Sequence, residues 1–139
     1  MLWRSEYETG NHKVDGQHKE LFDNVERLLQ SDELGDTQDL IYETFIFMIK
    51  YTTHHFATEE KLMIESDYPK YKEHKELHEE FVRTVQGFIE KYRADDTQSV
   101  EEVLEDYIVR WLKEHIMGED KKMATYYREW RINEQNGEE

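Results

Sequence analysis

The chain of 139 residues contains no cysteine, a single proline and only six glycines. Without cysteine there can be no disulfide, no thiolate zinc site, no iron–sulfur cluster and no cysteine nucleophile. A metal bound by this chain must therefore be held by nitrogen and oxygen atoms. The scarcity of proline and glycine, together with abundant Glu, Lys, Leu and Gln, favours helices and leaves little material for the turns of an all-β fold.

Long apolar runs and an excess of positive charge are also missing. The longest all-apolar run, Phe45 to Ile49, is much shorter than a membrane-spanning helix, and the N-terminus carries no apolar segment of signal-peptide length. We therefore expect a cytoplasmic protein with no membrane partner. The net charge of −15 repels the phosphates of nucleic acids, so no nucleic-acid partner is expected either.

Apolar residues recur at steps of three and four along four stretches, which predicts four amphipathic helices in one all-α domain of residues 1–139. Short polar loops between them favour an up-down-up-down antiparallel four-helix bundle. Asp15 is the expected cap of the first helix, and Ser99 with Glu102 forms a capping box for the fourth. The predicted domain begins with an N-terminal arm at 1–14, anchored by Trp3 and Tyr7. The bundle follows at about 15–118, with helices at about 15–30, 37–64, 69–92 and from 99. A short C-terminal appendage and tail are expected at 119–139, with the tail from Ile132 frayed.

Each of the four predicted inner stripes is interrupted by histidine or glutamate. His74 and His78, for example, are four residues apart and therefore lie on the same helix face. Burying several imidazoles and a carboxylate in one small core is very costly unless they are paired, and coordination of a metal removes that cost. The residues that interrupt the stripes are His18 on the first helix, His55 and Glu59 on the second, His74 and His78 on the third, and His115 on the fourth.

Asp120 is a seventh candidate ligand, but its distance from His115 needs an explanation. Five residues correspond to about 140° around a regular helix, so the two side chains would point in different directions. Gly118 has no β-carbon and lets the backbone loosen or end. We therefore predict an irregular helix end between Met117 and Asp120 that turns the carboxylate inward.

The donor set narrows the choice of metal. Five imidazoles are too rich in nitrogen for calcium or magnesium and too many for one tetrahedral zinc, whereas two metals bridged by carboxylates fit the count. If Glu59, Asp120 and an oxo or hydroxo group all bridge two octahedral metals, one coordination position stays vacant, and a small exogenous ligand can bind there. The Glu-x-x-His pattern of ferritin-like oxidases and the His-Glu-x-x-His pattern of metalloproteases are both absent. His12 and His54 are expected to have ordinary structural roles.

These motifs resemble the hemerythrin family, most closely its single-domain bacterial members. The resemblance covers nearly the whole domain, and all seven candidate ligands match in type, order and helix. It rests on Val14-Asp15-Gly16-Gln17-His18-Lys19-Glu20-Leu21-Phe22, on His55-Phe56-Ala57-Thr58-Glu59-Glu60, on His74-Lys75-Glu76-Leu77-His78, and on Trp111-Leu112-Lys113-Glu114-His115-Ile116 with Asp120.

The resemblance implies a non-haem di-iron centre that binds dioxygen reversibly, for oxygen storage, transport or delivery, with no catalytic residues. By position, His74, His78 and His115 would hold one iron, and His18 and His55 the iron with the open site. Glu59, Asp120 and an oxo or hydroxo group would bridge the two irons. The apolar wall of the oxygen pocket would consist of Phe56, Trp111, Leu112 and Ile116.

Two other functions use the same centre. One is a sensor of oxygen, nitric oxide or redox state that acts through a protein partner, and the other is an enzyme that scavenges peroxide or nitric oxide. A carrier is favoured over an enzyme because no acid or base residue is evident on the pocket side. A protein partner that receives oxygen or a signal is compatible with either binding role.

Overall fold

The computed structural model describes residues 3–33, 35, 38–94 and 104–137. The predicted all-α four-helix bundle is confirmed, and no strand occurs among these residues. The fourth helix of the bundle, in residues 104–120, changes its winding from π to α and back to π, and a further α-helix follows it without a break. In chain order the elements are a 3₁₀ turn at Ser5–Tyr7, α1 at His12–Glu33, α2 at Gln38–Glu65, α3 at Tyr71–Ala94, a π-helical segment at Leu104–Val109, α4 at Arg110–His115, a second π-helical segment at Ile116–Asp120, and α5 at Lys121–Asn136.

The first helix begins at His12, three residues before the predicted start. Asn11 is its cap, because the Oδ1 atom of Asn11 accepts hydrogen bonds from the backbone N–H groups of Lys13 and Val14, each at 3.1 Å. The prediction that Asp15 caps this helix is therefore wrong. An asparagine at the end of a turn satisfies the free N–H groups of the first helical turn as well as an aspartate does.

Asp15 fastens the arm to the bundle instead. Its Oδ1 accepts hydrogen bonds from the Thr9 backbone N–H at 2.8 Å and the Thr9 hydroxyl at 2.7 Å, and its Oδ2 accepts one from Gly10 N–H at 3.2 Å. Tyr7 is buried and stacks on Phe22, with ring centroids 5.6 Å apart. Trp3 packs against the same core as a half-buried side chain, so the structure agrees with the predicted anchors of the arm.

The main hydrophobic core lies between all four helices. It is built from large side chains that follow the predicted stripes and are almost completely buried. Prominent members are Leu21, Phe22, Val25 and Leu28 on α1, Phe45 and Met48 on α2, Phe81 and Val85 on α3, and Ile108 and Leu112 on the fourth helix. The buried histidine, glutamate and aspartate side chains that interrupt the predicted stripes are not members of this apolar core.

The break between the second and third helices falls at the predicted place. α2 ends at Glu65, Asp67 adopts a left-handed backbone with φ of 53°, and α3 begins at Tyr71, shortly after Pro69. The predicted loop after α3 and the capping box of Ser99 and Glu102 lie outside the described residues. None of the helices in the described ranges is long and apolar enough to cross a membrane.

The predicted appendage is a helix, α5, which runs past Ile132 to Asn136 where a frayed tail was expected. Its inner side chains Met123, Ala124 and Tyr127 are buried. Met123 joins Val14 and Met63 in a second, smaller apolar cluster. This cluster attaches α5 to the start of α1 and the end of α2.

Candidate metal centre

The seven predicted ligand side chains converge in one buried cluster to which all four helices contribute. None of them exposes more than 6% of its surface. Their nitrogen and oxygen atoms form two overlapping groups that share both carboxylates. The larger group contains His74, His78 and His115 with Glu59 and Asp120, and the smaller contains His18 and His55 with the same two carboxylates.

The three-histidine group is compact. The Nε2 atom of His115 lies 3.1 Å from Nε2 of His78 and 3.0 Å from Nε2 of His74. One oxygen of each carboxylate faces this group: Glu59 Oε1 is 3.1 Å from His78 Nε2, and Asp120 Oδ1 is 3.0 Å from His115 Nε2. Five donor atoms from three helices thus surround a common point.

The two-histidine group takes the other oxygen of each carboxylate. Asp120 Oδ2 lies 2.9 Å from Nε2 of His18, and Glu59 Oε2 lies 3.2 Å from Nε2 of His55 and 3.4 Å from Nε2 of His18. Each carboxylate therefore has one oxygen in each group. The smaller group has one imidazole fewer than the larger.

The donor atoms fit metal ions better than they fit each other. Buried atoms without any hydrogen-bond partner include both ring nitrogens of His18, Nε2 of His55, both oxygens of Glu59 and Oδ1 of Asp120. These atoms lie close to other nitrogen and oxygen atoms of the cluster without forming hydrogen bonds to them. Such atoms are costly to bury unless something else binds them. Ligand atoms at right angles around a metal ion at about 2.1 Å lie about 3.0 Å apart, which is close to most of the separations in the cluster.

The electrostatics of the cluster also suit a cation. Burial lowers the pKa of His18 and His74, but the close approach of the Asp120 and Glu59 carboxylates outweighs it and raises both values to about 9. Burial alone would raise the pKa of the two carboxyls, yet the surrounding imidazoles lower it in both. For His55, burial dominates and lowers the pKa. The two carboxylates thus attract positive charge into a site shielded from water.

Asp120 reaches the cluster through the second π-helical segment, Ile116–Asp120. Because π-helical hydrogen bonds join residues five apart, this winding brings the side chain of Asp120 onto the same face as that of His115. The predicted irregularity is present, but the predicted helix end is wrong, since the chain continues directly into α5. Gly118 lies inside this segment without a positive φ, and a β-carbon there would meet nothing within 4 Å, so neither space nor a left-handed backbone requires glycine at this position.

Two side chains outside the predicted ligand set make hydrogen-bond contacts with imidazoles of that set. The Nδ1 atom of His55 lies 2.7 Å from Gln17 Oε1, and Gln17 donates its amide N–H to Thr58 Oγ1 at 3.2 Å. The Nδ1 atom of His78 lies 2.9 Å from Glu60 Oε2. Such contacts fix the ring so that Nε2 faces the metal position.

The sequence patterns did not assign a supporting role to Gln17 or to Glu60. Both residues directly neighbour a predicted ligand in the chain, which is a signal that could have singled them out. Each, however, supports a histidine on another helix, so its partner depends on packing. His12 and His54 are exposed and lie outside the cluster, as expected.

Aromatic side chains cover the three-histidine group. Phe56 stacks on His78 with ring centroids 3.8 Å apart, and Trp111 stacks on His115 at 4.3 Å. Leu112 and Ile116 are buried in the same apolar core. Of the four predicted pocket residues, Phe56 and Trp111 therefore contact the cluster directly, mainly on its three-histidine side. The resemblance placed the open site on the two-histidine side, and Phe56 reaches that side with its ring centroid 6.0 Å from that of His55.

The arm contributes a further aromatic group beside the two-histidine side. Trp3 lies 6.5 Å from His18 and 5.9 Å from Phe22, measured between ring centroids. The sequence indicated Trp3 only as an anchor of the arm. In the structure it also helps to cover His18.

A helical bundle with two histidine groups joined by two shared carboxylates belongs to the class of dinuclear metal-binding bundles. The family model described as hemerythrin HHE cation binding domain matches residues 9–127, and the chain belongs to the hemerythrin family. It is 31% identical over 126 residues to a bacteriohemerythrin of Clostridium acetobutylicum, covering 88% of this chain and 97% of that protein. It is 28% identical over 120 residues to a myohemerythrin of Theromyzon tessulatum, covering 86% and 88%.

The predicted family resemblance is thus confirmed. Members of this family bind dioxygen at a non-haem di-iron centre and are generally not enzymes. A di-iron oxygen-binding protein is accordingly the class to which the relatives point.

Proposed function

We propose that this protein binds dioxygen reversibly at a di-iron centre and serves in oxygen storage, transport or delivery. The observation that carries the proposal is the division of each carboxylate between the two histidine groups. Glu59 Oε1 and Asp120 Oδ1 face the three-histidine group, while Glu59 Oε2 and Asp120 Oδ2 face the two-histidine group. Carboxylates that bridge two metals need this arrangement.

In this proposal the two irons have different environments. His74, His78 and His115 hold one iron, and His18 and His55 hold the other. Glu59 and Asp120 would hold both irons, together with an oxo or hydroxo group. When bound, the centre supplies the electrons and the coordination position that dioxygen binding requires. The position belongs to the two-histidine group because that group has one imidazole fewer.

The protein's own residues keep the site suited to reversible binding. Gln17 and Glu60 hold His55 and His78 in the orientation that turns Nε2 inward. Phe56 brings an apolar surface to the two-histidine group, because its ring centroid lies 6.0 Å from that of His55. We assign the wall of the oxygen pocket, which excludes water, protons and anions, to four side chains. These are Phe56, Trp111, Leu112 and Ile116.

Binding is favoured over catalysis by the lack of spare acids and bases. Among the described residues, every buried His, Asp and Glu belongs to the proposed ligand set. Outside that set, the carboxylate of Glu60 contacts the cluster, and it is hydrogen-bonded to Nδ1 of His78. General acid–base catalysis needs a titratable group that is free to reach the substrate, and the cluster leaves none in its interior.

The test is iron content combined with rapid oxygen-binding kinetics. We expect two irons per chain, oxo-bridged ferric charge-transfer bands, and fast reversible oxygen binding with slow autoxidation. Rapid oxidation with turnover of peroxide would instead identify a scavenging enzyme, and colourless zinc-loaded protein would contradict the proposal altogether.

Two neighbouring histidines provide a matched pair of variants. His55→Ala removes a buried proposed ligand, so iron binding should weaken by at least about tenfold and oxygen binding should be lost. His54→Ala removes an exposed histidine from the same helix turn and should leave both unchanged. Equal behaviour of the two variants would show that His55 is not a ligand.

A further inference from the structure

A cavity of about 440 Å³ lies between the first turn of α1 and the outer part of α5, away from the metal cluster. The loop before α1 and one face of α5 form its walls. The lining includes Gly10, His12 and Lys13 on the first wall and Tyr127, Arg128 and Arg131 on the second. The charge of this lining is opposite to that of the molecule as a whole.

Only basic groups contribute charge to the cavity. Lys13, Arg128 and Arg131 line it together with His12, and no Asp or Glu does so, although Asp and Glu outnumber Lys and Arg by 33 to 18 in the chain. Within the described part of the chain, none of these three cations lies within salt-bridge distance of a carboxylate. In so acidic a protein, a group of unpaired cations calls for a separate explanation.

The local structure holds the two arginines at the cavity. Arg128 and Arg131 are three residues apart on one face of α5, where like charges repel. Gly10 has a φ of 92°, and a β-carbon on it would lie 3.2 Å from Nη1 of Arg128, so the guanidinium rests against the arm. Arg131 interacts with the hydroxyl of Tyr127, which also contacts Glu65 Oε1 at 3.4 Å.

The start of α1 contributes His12 and Lys13 to the cavity lining. The partial positive charge of the helix N-terminus is offset by the carboxylate of Asp15 in the same first turn, which accepts a hydrogen bond from Gly10 N–H. The positive charge of the concave space therefore comes from its basic side chains.

We propose that this cavity binds a small anion through a phosphate group, either free phosphate or a small phosphate monoester. Arginine guanidinium groups match phosphate oxygens with two parallel hydrogen bonds, and a lysine supplies a further point charge. A phosphate carries about −1.5 to −2 charges at neutral pH, which balances this set of cations better than a single carboxylate does. The site is separate from the di-iron centre and does not depend on the proposed oxygen function.

The test is a calorimetric titration of the iron-loaded protein with inorganic phosphate and with glycerol phosphate, at constant ionic strength maintained with chloride. The Arg128→Gln/Arg131→Gln variant should bind at least about tenfold more weakly than the original protein. The Arg110→Gln/Lys122→Gln variant removes the same charge elsewhere on the fourth helix and α5, and should bind as the original protein does. Equal affinity for both probes identifies the phosphate group alone as the ligand, and tighter binding of the monoester adds a contact to its organic part.

Three results would overturn the proposal: no saturable binding of either probe, unchanged binding in the cavity variant, or an equal loss in the control variant. Unchanged binding would place the anion at the iron centre or elsewhere. The charge-transfer bands and the thermal unfolding midpoint show whether each variant is folded and loaded. If the double variant does not fold, Lys13→Gln replaces it, with an expected severalfold loss of affinity measured in the same way.

Discussion

At the scale of single residues, periodicity identified side chains that point inward but not the contacts they make there. The proposed ligands could be singled out because histidine and glutamate interrupt otherwise apolar stripes, as His18 does on α1. Gln17 could not be recognised as a support for His55, because their contact joins two helices. The cap of α1 was assigned to Asp15 rather than Asn11 because both residue types cap helices and only the path of the arm decides between them.

The hydrogen bond from His78 to Glu60 leads to a prediction at this scale. In Glu60→Ala, Nδ1 of His78 loses its acceptor, and the ring is no longer held with Nε2 toward the metal position. Iron affinity should fall by about tenfold or more, as is typical when such a supporting group is lost. The measurement is competition for iron with a chelator of known affinity.

Two further variants separate orientation from charge. Glu60→Gln keeps an acceptor oxygen and should recover most of the affinity. Glu76→Ala removes an exposed acid from α3 and should have no effect. If Glu76→Ala weakens iron binding as much as Glu60→Ala does, the effect is one of overall charge and the hydrogen bond is not responsible.

At the scale of elements, the helices and the α2–α3 break were predictable, whereas the change in winding on the fourth helix was not. Hydrophobic steps of three and four define a helix face without revealing which hydrogen-bond register the backbone takes. The five-residue spacing of His115 and Asp120 did indicate an irregularity, and the structure supplies a π turn where a helix end was expected. The extension of α5 past Ile132 was also missed, because residues 131–137 are exposed and no buried apolar stripe marks them as helical.

The π turn gives a prediction about Gly118. Because a β-carbon at this position meets nothing within 4 Å, Gly118→Ala should be accommodated without displacing Asp120. Alanine is favoured over glycine inside a helix by about 0.8–1.0 kcal/mol, so the free energy of unfolding should stay the same or rise slightly. Urea unfolding together with iron analysis measures both quantities.

An insertion provides the contrasting variant. One alanine placed after Gly118 moves Asp120 to six residues from His115, which takes the carboxylate off the shared face, and iron should be lost. If Gly118→Ala also loses iron, then the flexibility of glycine, and not the π turn alone, is required to place Asp120.

At the scale of the whole molecule, the metal centre and the bundle depend on each other. The seven proposed ligands come from all four helices and fill a part of the core that apolar side chains would otherwise occupy. Several of their nitrogen and oxygen atoms have no hydrogen-bond partner within the protein. A metal that binds these atoms only in the folded state stabilises that state, because binding and folding share the same free energy.

Removing iron should therefore lower the free energy of unfolding by several kcal/mol, since each buried polar atom left unsatisfied costs roughly 1–3 kcal/mol. The check is urea unfolding of the loaded protein, of protein stripped with a chelator, and of stripped protein reloaded with iron. We expect a lower midpoint on stripping and full recovery on reloading, while His54→Ala should respond as the original protein does because His54 is exposed. Equal midpoints for loaded and stripped protein would mean that the cluster is stable without a cation, and the orphaned buried atoms would then require some other partner.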